Sequence, residues 1–224
     1  MILPITLSVA AGAFLWLDRV FLFQSMISRP IILSPILGFI LGDVAVGLIV
    51  GASLELLWLN APPVGAYLPN DETFCAAVAT PAAFVAAHFM GDAAAAGLAL
   101  VACLPVSLIG RTLDTHIRSL NQDLIQSRLD NAEVTVGPAM AKALVRSFLA
   151  AFVVMGVSTA FLCMAVYLLG GMLPVPVQAA LSFMPSVCIL VGLAGLVTKD
   201  IPRPSHAALF VAGMSVVLII SWVL

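Results

Sequence analysis

Five stretches of this chain, roughly 73–90, 93–110, 147–170, 175–198 and 205–224, contain no Asp, Glu, Lys or Arg. A helix needs about 20 apolar residues to cross a bilayer, and these stretches come close to that length. They are continuously apolar, whereas the strands of a membrane barrel alternate apolar and polar residues. The chain as a whole is 62% hydrophobic and 9% charged. A soluble domain carries roughly 25% charged residues, so this chain lacks the polar surface to cover itself in water. Backbone groups in lipid must be satisfied internally, which leaves helices as the spanning element. The sequence therefore predicts an all-α, polytopic helical membrane protein.

The N-terminal region does not follow the same pattern. Residues 2–17 are apolar but short, Asp18-Arg19 follows, and two further apolar runs, 31–41 and 44–59, are separated by Gly42-Asp43. Short hydrophobic segments interrupted by Gly and Pro mark broken helices near transporter binding sites. Broken or re-entrant helices are expected here, bringing the total to roughly six to eight membrane segments. The start "MILPITLSVAAGAFLWLDR" has no basic region ahead of its apolar run, so it reads as a retained membrane segment rather than a cleaved signal. Three units are expected: an N-terminal membrane region 1–110, a polar segment 111–146, and a C-terminal hairpin plus final span 147–224.

Segment 111–146 holds Arg111, Arg118, Arg128, Lys142 and Arg146, five of the nine basic residues. The positive-inside rule places it in the cytoplasm, and Lys199 and Arg203 two spans later agree. Within it Leu113, Ile117, Leu120 and Leu124 recur at spacings of 4, 3 and 4, one face of a helix. That face either packs on its own chain or forms a seam with a partner. Gly38, Gly42, Gly47 and Gly51 lie 4, 5 and 4 apart, a pattern that allows close backbone packing in lipid.

Several function classes are excluded. A net charge of −2 provides no basic surface for nucleic acid. Cys75, Cys103, Cys163 and Cys188 have no paired spacing and read as small packing residues. His88, His116 and His206 are scattered, so no metal site and no catalytic residue is assigned. No Walker-type phosphate loop is present, and no cofactor is expected.

The polar residues inside apolar surroundings carry the functional argument. An ionised side chain at the centre of a membrane helix costs about 2.5–3.5 kcal/mol, so such residues face a partner or a cavity. Asp18 and Asp43 fit either a membrane edge or a polar site, and Arg29-Pro30 a turn. Glu55 lies well within 44–59 and is the best candidate, either in a salt bridge with Arg29 or at a ligand site. An ionised carboxylate only accepts hydrogen bonds, which suits the hydroxyls of a sugar. Asn70 offers both a donor and an acceptor. The broken run "NAPPVGAYLPND" leaves backbone groups that survive at membrane depth only where they line a cavity. Trp58 and Tyr67 either stack on a sugar face or are interfacial aromatics.

The series Asp18, Gln24, Arg29-Pro30, Gly38, Gly42-Asp43, Gly47, Gly51, Leu54-Glu55, Gly65 and Pro69-Asn70-Asp71 resembles membrane component IIC of the mannose/sorbose-type family of bacterial sugar phosphotransferase systems. The match covers about the first third of the chain. The resemblance implies a sugar permease subunit, not an enzyme, in a phosphoenolpyruvate-dependent system of the cell inner membrane. It implies an oligomer with a membrane component IID and with cytoplasmic IIA and IIB components that carry the phosphate. It also implies substrate-binding roles for Glu55, Asn70 and Asp71, and supporting or gating roles for Gln24, Arg29 and Asp43. In the mannose-type pattern a proline directly precedes the acid. Here Asn70 intervenes, closer to members that take other hexoses or amino sugars. The competing readings are an intramembrane enzyme built on paired acids and a non-transporting scaffold subunit.

Overall fold

The computed structural model describes residues 1–59, 69–130, 136–198 and residue 215. Within them the chain forms nine helices: α1 Ile2–Leu17, α2 Pro30–Leu41, α3 Val44–Leu57, α4 Glu72–Ala86, α5 Asp92–Cys103, α6 Val106–Asp130, α7 Val136–Gly170, α8 Val175–Ser182 and α9 Met184–Thr198. The expected all-helical membrane architecture is present. Among the described residues two helical stretches are long and apolar enough to cross a bilayer, Gly137–Gly170 and Val175–Leu196, the latter joining most of α8 and α9. A third span results if α5 and α6, bent by 49° at their junction, are taken together. Pro105 sits at that junction, where its missing N–H and its ring break the helical ladder. Helices α1 to α3 are shorter than a span, as the interrupted N-terminal pattern predicts; α4, in the stretch 73–90 expected to be close to span length, is shorter as well. The expected last span, 205–224, lies outside the described residues apart from position 215.

Helix α4 occupies the centre and packs against α1, α2, α3, α5, α6 and α7. Its residues from Thr73 to Ala83 are all buried. A helix that is apolar on every side belongs in the interior, and the alanines of α4 let neighbours approach from all directions. Trp16, Leu33, Leu37, Leu54 and Leu100 from its neighbours, with Phe74 of α4 itself, are the largest fully buried side chains. Cys75, Cys103 and Cys188 are buried here as free thiols.

Helices α2 and α3 form a tight hairpin. Gly42 ends α2 at φ 89°, a left-handed conformation that favours glycine. The Asp43 N–H closes the turn onto the Gly38 carbonyl at 2.8 Å. Along the seam, a Cβ on Gly47 would meet the Ser34 carbonyl oxygen at 2.5 Å and the Gly38 Cα at 3.1 Å. Both obstacles are backbone and cannot rotate away. Gly47→Val is therefore expected to lower stability by about 1–3 kcal/mol or more, read as a fall in the unfolding midpoint in detergent. Gly137→Ala, where a Cβ meets nothing within 4 Å, should leave that midpoint unchanged.

The amphipathic stretch does not form a helix of its own. Helix α6 begins at Val106 and α7 runs from Val136 through to Gly170, so residues 110 and 146 both fall inside helices. Leu113 and Ile117 are buried, and the face they belong to packs against α4 and α7 of the same chain. Of the two readings left open for that face, the structure shows packing on its own subunit.

Candidate functional site

Two charged clusters form where α1, α2, α3, α4 and α6 meet, and the first centres on Asp71. Asp71 is the N-cap of α4, and its Oδ1 accepts from the Phe74 N–H at 2.9 Å. A capping carboxylate satisfies a free helix donor and suits the positive end of the helix dipole. Its Oδ2 accepts from Trp16 Nε1 at 2.7 Å and lies 2.6 Å from Arg19 Nη1. The Arg19 contact is an ion pair without hydrogen-bond alignment. The Asp71 N–H donates to the Ser107 carbonyl at 3.1 Å. Asp71 is wholly buried, and both of its oxygens are engaged within the chain. Gly110 lets α6 come this close, since a Cβ there would lie 2.6 Å from the Asp71 and Phe74 side chains.

The second cluster is an acid–base–acid triad. Arg29, the N-cap of α2, reaches Glu55 Oε1 with Nε at 3.1 Å and Glu72 Oε1 with Nη1 at 2.6 Å. One planar guanidinium thus bridges the end of α3 and the start of α4. Two carboxylates face one cation, and residues 60–68 between the two acids contain no Asp, Glu, Lys or Arg. Glu55 Oε2 is buried and has no hydrogen-bond partner among the described residues. A buried acceptor without a donor costs about 1–3 kcal/mol, more when charged. It is therefore a position where a hydroxyl or amine donor would be welcome.

The remaining sequence candidates fall in different places. Asn70 is half-buried and immediately precedes the Asp71 cap, at the rim of both clusters. Asp43 caps α3 by accepting from the Val46 N–H at 3.1 Å. It sits at the opposite end of the α2–α3 hairpin from Arg29 and Glu55, about 18 Å away along the helices. Gln24 is exposed in the loop after α1, at φ 52°, and donates to the Val20 carbonyl at 3.3 Å. Asp18 anchors that loop: it accepts from the Ser25 N–H and hydroxyl and from the N–H groups of Ile27 and Ser28. These four donors hold a turn in which Gln24 and Met26 both take positive φ, an uncommon conformation for residues other than glycine. Trp58 is half-buried at the end of α3, and Tyr67 lies outside the described residues. No group of three or more His, Cys, Asp or Glu side chains among the described residues is arranged to hold a metal.

The sequence did not single out Trp16 or Arg19, and it offered Glu72 only as the acid next to Asp71, not as a partner of Arg29. Trp16 is one apolar residue among many in α1, and nothing local shows that its indole N–H faces an acid 55 positions away. Arg19 adjoins Asp18 and reads with it as a membrane-edge pair, yet the two serve separate networks.

A family model described as PTS system sorbose-specific IIC component matches residues 2–221. The chain belongs to this family. One curated relative, the putative N-acetylgalactosamine permease IIC component 2 of Escherichia coli K12, is 46% identical over 43 residues, covering 19% of this chain and 32% of the relative. The PTS system mannose-specific EIIC component of the same strain is 27% identical over 110 residues, covering 48% of this chain and 39% of the relative. The matched regions thus span about a third to two-fifths of these relatives. Two solved structures share the fold. One, described as a structure of membrane protein, has a TM-score of 0.65 at 21% identity and covers 97% of this chain and 87% of its own. The other, a cryoEM structure of mannose transporter ManYZ with microcin E492, has a TM-score of 0.59 at 17% identity and the same coverages.

Proposed function

We propose that this chain is the sugar-translocating IIC subunit of a phosphoenolpyruvate-dependent phosphotransferase system, and that Glu55 and Asn70 bind the sugar. The observation that carries the reading is the Oε2 of Glu55, buried and without a partner among the described residues, at a junction of broken helices in a chain of this family. Oε2 accepts from a sugar hydroxyl, while Oε1 stays on Arg29 and keeps the carboxylate ionised and aimed. Asn70 bridges a neighbouring hydroxyl pair with its amide. Asp71, saturated within the chain, fixes the first turn of α4 and so positions Asn70 and Glu72. Arg29 ties the two acids together, and Asp43 and Gln24 act in the hairpin turn and the first loop as α2 and α3 move.

The substrate is a hexose or an amino sugar, in keeping with the mannose and N-acetylgalactosamine named for the relatives. The chain itself performs no phosphoryl transfer. IIA and IIB components phosphorylate the sugar as it emerges on the cytoplasmic side, where residues 111–146 lie, and a IID component completes the translocation unit in the inner membrane. Net import then follows from trapping the product. Helices α2 and α3, locked along their glycine seam, move as one body against α9, and the sugar site is exposed to each side in turn.

The test is a sugar panel in cells that express this chain with its IID partner and the phosphocarrier components. The expected result is phosphoenolpyruvate-dependent phosphorylation of a hexose or amino sugar that is lost when this chain is omitted. Phosphorylation that proceeds equally without the chain overturns the proposal.

A further inference from the structure

Beyond the sugar site, α7 carries a surface with a different chemistry. The helix has 35 residues, about 52 Å at 1.5 Å per residue, well beyond the roughly 30 Å hydrocarbon core. After Arg146 it contains no charged residue up to Gly170, so Arg146 and Lys142 mark the level where it leaves the apolar layer. Just there one open face of the helix carries Lys142, Val145, Arg146, Leu149 and Val153. Below the two cations that face is aliphatic, with Val145, Leu149 and Val153 each more than half exposed. Lys142 and Arg146 are one turn apart on the same face. Neither pairs with a carboxylate among the described residues. Arg146 Nη1 lies 3.5 Å from the Leu120 carbonyl, which places the guanidinium beside α6.

We propose that this face of α7 binds an anionic phospholipid, with acyl chain along Val145, Leu149 and Val153 and headgroup phosphate between Lys142 and Arg146. Charge and depth agree: two cations sit at headgroup level above an exposed aliphatic strip that continues into the bilayer. Basic residues at this level each favour an anionic headgroup, and a guanidinium can grip phosphate with two parallel donors. A zwitterionic lipid fits the strip but gains little from the cations, so the site should discriminate by headgroup.

Purified full-length chain in detergent micelles containing equal phosphatidylglycerol and phosphatidylcholine would be analysed by native mass spectrometry for retained lipid. The wild type should retain phosphatidylglycerol preferentially, and Lys142→Ala with Arg146→Ala should reduce the preference by about ten- to thirtyfold. Leu149→Asn, which makes the aliphatic strip polar and leaves both cations in place, should also reduce retention at an unchanged unfolding midpoint. Inorganic phosphate at millimolar concentration should not displace the lipid. An unchanged preference in the double variant overturns the proposal. Displacement by phosphate would make this a free-anion site. Loss of the lipid when a partner membrane component is co-purified would make the face a protein interface. Either result equally overturns it.

Discussion

Replacing Asp71 by alanine should lower the stability of the folded chain by about 3–5 kcal/mol, the cost of breaking a buried ion pair by removing one partner. Asp71 is wholly buried; the Phe74 N–H and the Trp16 indole N–H lose their acceptor at once, and the Arg19 guanidinium loses its ion-pair partner. The Arg19 charge, only 16% exposed, is then left without its counter-ion. The check is the unfolding midpoint in detergent together with the yield of monodisperse protein. Trp16→Phe removes one neutral donor from a carboxylate that keeps its others, and should cost about 1.5–3 kcal/mol. Asp123→Ala, at an exposed position on α6, should change almost nothing. A wild-type midpoint for Asp71→Ala would contradict the placing of this acid at the centre of the helix junction.

The second large effect is expected at Arg29. Arg29→Met keeps the length of the side chain and deletes the cation that, among the described residues, contacts both Glu55 and Glu72. The two carboxylates then face each other across a half-buried site. Because Arg29 is 38% exposed, solvent screens part of this, and a loss of about 1–3 kcal/mol is expected. Adding Glu55→Gln removes one of the repelling charges and should restore part of the stability. Such non-additivity is the signature of groups in one network. Strictly additive losses in the double variant would mean that the three side chains do not act as a unit.

These two sites show how far the sequence could be read. The membrane class was legible because uncharged runs of span length have few other uses. Glu55 stood out because a carboxylate inside such a run needs a reason, and its pairing with Arg29 was one of the stated options. The Gly42 turn and the glycine seam were legible as spacing, although Gly42 turned out to serve the turn rather than the seam. The polar stretch was harder. Its periodicity was correct as a helix face, but nothing local showed that α6 starts at Val106 or that α7 begins as early as Val136. Those limits depend on what the helices pack against. The Asp71 hub was invisible for the same reason. Trp16, Arg19, Ser107 and Gly110 are far apart in the chain, and each is unremarkable among its neighbours. Asp43 and Asp18 looked like Glu55 in composition, yet one caps a helix and the other ties up a loop. A carboxylate's role depends on the donors that reach it, and those come from the fold.

The central claim is that the free oxygen of Glu55 meets the sugar, and one measurement tests it most directly. Glu55→Gln, checked for a wild-type unfolding midpoint, would be assayed for phosphoenolpyruvate-dependent uptake of the best sugar from the panel, in cells that express its partners. Replacing a charged acceptor with a neutral one at a buried contact should lower uptake at limiting sugar by about 10- to 100-fold. Asn70→Ala should lower it less. Wild-type uptake by a folded Glu55→Gln variant would contradict the account and move the sugar site elsewhere in the chain.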